Sequence, residues 1–298
     1  MSVAVRALIA LVCLSFQSYG QAITKESADE MSCRPAIDAS RIVVAGGSIT
    51  EILFMLGDAD KIVAVDRTSN YPPEVSQFPV VGYVRALSAE GVLSLGPSLV
   101  LGEDDMGPLE VVSQLESTGV EIRRVPEEHS AAGIVEKIIC VASVLGYDRE
   151  KLAKIRENFD DSVEQITSLN DAKATATKPR VAIIMALRDG VPFAAGSDTS
   201  ADGLIEMAGA HNVFTSFEGW KPVSLEVMIS SDPAFIVMPQ RGMAMSGGRD
   251  AVLAHPSVRS TTAGQKGRVI AVDGMTLLGF GPRTLQAALD LQKEFDTP

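Results

Sequence analysis

Short apolar runs rich in Val and Ile alternate along this chain with segments whose apolar residues recur every three or four positions. RIVVAGG (41–47) reads as a strand ending in glycines, and SITEILFMLG after it has helical spacing with Gly57 as its stop. KIVAVD, SLVLGE and EIRRVP are further short strands separated by helical stretches. This alternation predicts an α/β fold built on a mostly parallel sheet with helices on both faces.

The pattern then begins again. PRVAIIMA (179–186) resembles the first strand, and AAGSDTSADGLIEMAGAHNVF (194–214) echoes AGGSITEILFMLGDADKIV (45–63). A second echo is sharper. Ser88-Ala89-Glu90 precedes Pro97 and the strand SLVLG, while Ser224-Leu225-Glu226 precedes Pro233 and the strand AFIVM. The spacings agree in both copies, so each Ser can cap a helix whose first turn holds the Glu. Two matches in one order predict two related lobes.

Between them, YDREKLAKIRENFDDSVEQITSLNDAKATATK (147–178) is highly charged, with Leu152, Ile155, Phe159, Val163 and Ile166 at helical spacing. One long amphipathic helix followed by a polar linker is expected. The boundaries drawn are 36–147 for the first lobe, 148–178 for the helix and linker, and 179–298 for the second lobe. A helix is a stiffer connection than loops, so hinge motion between the lobes should be limited.

The N-terminus sets the compartment. Met1–Ala7 carry one charge, Arg6, followed by the apolar run ALIALVCLSF and small residues at Ser18, Gly20 and Ala22. That is the layout of a secretory signal, here residues 1–22, and the run is half the length of a membrane span. Val12 is bulkier than the residue preceding a lipoprotein cysteine, so Cys13 is not read as one. A periplasmic location follows. Removing Arg6 takes the net charge from −12 to −13, and so acidic a surface argues against nucleic acid. Of the remaining cysteines, Cys140 lies in the apolar run IVEKIICVASVLG and reads as a small buried hydrophobe. An exported chain permits a Cys33–Cys140 disulfide, but the spacing does not establish it.

No GxSxG, HExxH or GxxxxGK[ST] pattern occurs, so the chain is read as a non-enzyme. Its three histidines, His129, His211 and His255, lie in separate turn-like segments, which disfavours a zinc or manganese site. The loop-like stretch FPVVGYVRALSAEGVLSL (78–95) holds Tyr83 with Arg85 two residues on. A phenolate is a hard ligand for ferric iron, and a nearby cation favours the charged form. From these residues alone, a plain loop tyrosine beside a solvated arginine is the favoured reading, because both are common in loops.

The stretches GGSITEILFMLG, VDRTSNYPPEVSQFPVVGYVRALSAEGVLSLGPSLVL, AAGSDTSADGLIEMAG and TLLGFGPRT together resemble the periplasmic haem-binding component of bacterial haem ABC importers. That family belongs to the long-helix-linked class of solute-binding proteins. The resemblance spans both lobes, and GYVRALSAEGVLSL is its haem-specific part. It implies that Tyr83 ligates the haem iron and that Arg85 supports the phenolate. It also implies that Arg241, in MPQRGMAMSGG, reaches the cleft. Tyr71 and Met243 complete the implied pocket, although buried core is an equal reading for Met243 and its neighbour Met245. Glu90 and Glu226 would dock on an inner-membrane permease driven by a cytoplasmic ATPase. GFGPRT (279–284) is expected to start the last helix at Pro282. The chain is read as a monomer carrying one ferric haem. A corrinoid or ferric siderophore in the same fold is the alternative cargo, and a stacked haem pair remains open.

Overall fold

The computed structural model describes residues 32–173, 178–188 and 190–297, so the expected signal segment lies outside the described residues. In the first lobe, β1 (Ile42–Ala45) leads into α1 (Gly47–Leu56) and β2 (Ile62–Val65). A two-residue hairpin follows, β3 (Gly82–Tyr83) and β4 (Ala86–Leu87), then α2 (Ala89–Leu93), β5 (Leu99–Glu103), α3 (Leu109–Ser117), β6 (Glu121–Val125) and α4 (Ala131–Val144). The sheet has strand order β2-β1-β5-β6 and is parallel throughout. Every residue of β1 is buried, which is why the run IVVA shows no polar alternation: helices cover both faces.

The expected linking helix is α5 (Arg149–Lys173). Its Ile166 is buried, and Ile155, Phe159 and Val163 pack against the core. The second lobe contains β7 (Arg180–Arg188), β8 (Val191–Ala195), α6 (Ser200–Met207), β9 (His211–Asn212), β10 (Trp220–Pro222), α7 (Leu225–Ser231) and β11 (Phe235–Pro239). Then come α8 (Gln240–Met245), α9 (Arg249–Ala254), α10 (Pro256–Arg259), α11 (Thr262–Gln265), β12 (Val269–Val272), α12 (Gly274–Leu278) and α13 (Pro282–Phe295). Its sheet runs β10-β8-β7-β11-β12, with β9 beside β7. Strand β8 runs antiparallel to both of its neighbours, β7 and β10, and the other pairings are parallel.

Two ties were not visible as such in the sequence. Cys33 and Cys140 form a disulfide, which pins the segment before β1 onto α4. The apolar residues of α13, among them Leu285, Leu289 and Phe295, join one continuous core with Ile42, Ile134 and Ile166. The lobes therefore share packing as well as the linking helix. Pro282 opens α13, as the GFGPRT stretch indicates.

Candidate functional site: the strand ends between the lobes

The hairpin β3–β4 presents Tyr83. Gly82 adopts φ +121°, and a Cβ there would lie 2.6 Å from the Ala86 carbonyl oxygen. Only glycine allows this close return of the chain. The hairpin is fixed from below by Asp66, which follows β2 and is fully buried. One Asp66 oxygen accepts from the Val84 N–H (3.0 Å) and the Thr68 N–H (2.9 Å). The other accepts from the Gly46 N–H, the Thr68 hydroxyl and the Ser69 hydroxyl, at 3.1, 2.8 and 3.1 Å. One carboxylate thus gathers the ends of β1 and β2 and the iron-ligand candidate's hairpin. Sequence reasoning missed it. Its only signal was an acid closing an apolar strand, VD in KIVAVD.

Tyr83 is half-buried, and its hydroxyl accepts from Arg85 Nη1 at 3.0 Å. Arg85 in turn donates through Nε to Asp105 Oδ2 at 2.7 Å and forms an ion pair with that carboxylate. Burial opposes the guanidinium charge, but Asp105 and Tyr83 outweigh it and hold the Arg85 pKa above its ordinary value.

Beside this triad lies a second charged cluster. Glu103, at the end of β5, accepts from the Ser48 hydroxyl at 2.6 Å. Burial, against the opposing pull of Lys137 and with the push of Glu127, raises its carboxyl to about 7. Lys137, on α4, is 2% exposed; it pairs with Glu127 at 3.2 Å and donates to the Gly279 carbonyl of the second lobe at 3.3 Å. Glu127 also meets His129 at 3.3 Å, and the His129 ring packs 4.9 Å from that of buried Phe280.

Tyr71 is partnered elsewhere. The Arg283 guanidinium sits 3.8 Å from the Tyr71 ring centroid and is held bidentately by Glu51, at 2.9 and 2.5 Å. Around them a pocket of about 520 Å³ is lined by Phe54, Met55, Pro72 and Pro282. It straddles both lobes. In the second lobe, Arg241 is exposed just past the end of β11 and pairs with no carboxylate among the described residues. Met243 is drawn into the second-lobe core with Ile184 and Met238, whereas Met245 is 73% exposed. Between the two readings open for these methionines, Met243 is core. Pleat and helix register decide this, and a single MAM triplet does not show it.

Glu90 and Glu226 occupy matching places. Ser88 caps α2 by accepting from the Gly91 N–H, and Ser224 caps α7 by accepting from the Val227 N–H. Both glutamates are exposed and pair with no cation among the described residues. Its own backbone N–H, then the Ser224 hydroxyl, hold the Glu226 carboxyl below the usual range.

The polar groups of the first lobe thus converge at the carboxyl ends of parallel strands, where open α/β sheets bind ligands. Two such lobes sharing a helix define a solute-binding protein. The periplasmic binding protein family model matches residues 42–275, and the chain belongs to that family. It binds and hands on a solute and is not an enzyme. Among solved structures it resembles the apo periplasmic heme-binding protein RhuT from Roseiflexus sp. RS-1, at 36% identity and a TM-score of 0.77, covering 87% of this chain and 98% of that one. It also resembles the periplasmic heme-binding protein BhuT in complex with two hemes, at 34% identity and 0.74, covering 86% and 97%. A cobalamin-binding protein of Halobacterium salinarum is 27% identical over 279 residues, 92% of this chain and 74% of that protein. No helix among the described residues is long and apolar enough to cross a membrane.

Proposed function

We propose that this chain is the periplasmic haem carrier of an ABC importer. The observation that carries the reading is the Tyr83 hydroxyl held by Arg85 on a hairpin anchored to Asp66. Ferric haem enters between the lobes and Tyr83 binds the iron as phenolate. Arg85 stands where the phenolate charge forms, and such charge-assisted contacts are the strong ones. Arg241 offers an unpaired cation from the second lobe, and exposed Met245 replaces Met243 as the methionine able to meet a porphyrin face. Glu90 and Glu226 dock the loaded carrier on the permease.

The heme-binding proteins it resembles at 36% and 34% identity support haem. The cobalamin-binding relative supports a corrinoid instead, another large tetrapyrrole-like ring suited to the same cleft. Titration with haemin separates the two. For a haem carrier, the Soret band shifts and saturates at one equivalent, and Tyr83→Phe removes the high-spin ferric bands while cyanocobalamin fails to compete. Saturation at two equivalents would establish a pair of haems per chain, the number in the BhuT complex. Tight cyanocobalamin binding with no saturable haemin response would make the cargo a corrinoid.

A further inference from the structure

The two docking helices are equivalent in frame but not in surface. On α7, Met228 is fully buried and Glu226 lies two residues before it, pointing about 160° away at 100° per residue. Leu225 and Ile229 fall on one side of Glu226 and Val227 on the other. All three are exposed, at 38%, 47% and 43%. The internal repeat aligns them with Ala89, Leu93 and Gly91 of α2, where Ala89 is buried and neither Gly91 nor Leu93 is fully exposed. The large exposed apolar side chains of the first lobe, Ile37, Met55, Tyr71, Val80 and Leu109, all lie off this helix.

Apolar side chains exposed around a glutamate with no cation partner are costly to leave in water, and the patch gains from a surface that matches both its charge and its apolar rim. We infer that the second lobe docks through an apolar collar around Glu226, and the first lobe through the charge of Glu90 with little apolar support from α2. The partner surface facing the second lobe is then a cation set among apolar side chains, and the surface facing the first lobe is a cation in a polar setting. This rests on the reading of Glu90 and Glu226 as permease contacts and adds the chemistry of each half of the footprint. It also gives docking a direction, since exchanging the lobes would place the collar against a polar patch.

The test uses the full mature chain loaded with haemin and the haem-importer permease–ATPase complex of the same cell in nanodiscs. Docking affinity is measured at low and high salt for Glu90→Ala, Glu226→Ala and the double variant Leu225→Ser/Ile229→Ser. The double variant is expected to dock about tenfold more weakly, the size typical of truncating central apolar contacts, at both salt concentrations. The defect of Glu90→Ala should shrink as salt screens it. An unchanged haem spectrum and melting temperature confirm that the variants are folded. Wild-type docking by the double variant while Glu226→Ala is impaired would overturn the collar and leave the docking role intact. Wild-type docking by both glutamate variants would overturn the docking reading itself.

Discussion

Each lobe buries a hydrogen-bonding side chain on or just after a strand that pairs with its first strand, Asp66 in one and Asn212 in the other, and the two are used differently. In the first lobe Asp66 only accepts, and it collects five donors from Gly46, Thr68, Ser69 and Val84. In the second lobe Asn212 does both. Its amide donates to the Ala195 carbonyl (3.2 Å) and Asp202 (2.9 Å), while its oxygen accepts from the Phe214 N–H. The turn at Gly196 is closed by backbone bonds to Gly219 and Phe217, with Phe217 packed where a Cβ would go. The corresponding turn at Gly46 faces carboxylates. The repeat has preserved caps and turns, and the chemistry has diverged. A pure acceptor can draw distant segments together, so the first lobe can hold a ligand-bearing hairpin. The Asn212 carboxamide instead ties β9 to the end of β8 and to α6, segments that carry no iron-ligand candidate.

The sharpest way to break this contrast is Asp66→Asn. One oxygen becomes a donor facing donors, leaving buried N–H or hydroxyl groups unpaired. The cost should be about 3–5 kcal/mol in urea unfolding, with loss of the Tyr83 haem spectrum. Asn212→Ala should destabilise the protein but keep that spectrum. Equal spectral losses would sink the idea that Asp66 organises the hairpin.

The staple is the next asymmetry. The disulfide closes a separation of 107 residues within the first lobe, and the second lobe has no cysteine. Cys33→Ser with Cys140→Ser should cost about 2–4 kcal/mol, mainly by loosening the unfolded chain. Haemin affinity should be nearly unchanged, because the bond lies on α4 away from the hairpin. A melting temperature equal to that of the wild type would show that the segment before β1 contributes nothing.

Glu103 responds to pH with the opposite sign to Glu127 in its own lobe and Asp273 in the other. Its carboxyl is raised to about 7 in the folded state, mainly by burial. The folded form therefore keeps a proton that the unfolded chain has released above pH 4.5. Stability should fall as pH rises from 4.5 to 7, by at most ~1.4 kcal/mol per unit. Glu127 and Asp273 are shifted down instead, so their contribution is present above the ordinary carboxylate range and lost only below it. Glu103→Gln should flatten the slope between pH 5 and 7. An unchanged slope would mean that Glu103 is ionised throughout.

The frame was legible because it rests on local rules. Apolar runs became buried strands, Ser88 and Ser224 became caps, and the charged amphipathic stretch became the helix Arg149–Lys173. What was not legible depends on distant partners. Asp66 is significant only because Val84 and Gly46 arrive beside it. Tyr71 meets Arg283, more than two hundred residues away in sequence, and Cys33 meets Cys140. Composition around Tyr83 showed the phenol and the cation together, since two residues on a tight hairpin must be neighbours. It could not show Asp105, which β5 delivers from the far side.

Asp105 offers the finest test of the contrast, because it makes Arg85 an anchored cation where Arg241 is a free one. The pair is well exposed, with side-chain exposures of 61% for Arg85 and 43% for Asp105. Exposed pairs are worth about 0–1 kcal/mol, because water screens them and two long side chains lose freedom. Asp105→Asn should therefore weaken haemin binding by less than about fivefold, the factor that corresponds to 1 kcal/mol. The loss should narrow as salt rises, since the wild-type pair is itself screened. Arg85→Leu should cost more, because it removes the donor at the Tyr83 oxygen. Asp105→Asn costing as much as Arg85→Leu would mean that position, not charge, is what Arg85 contributes. In that case the unanchored Arg241 could not substitute for it.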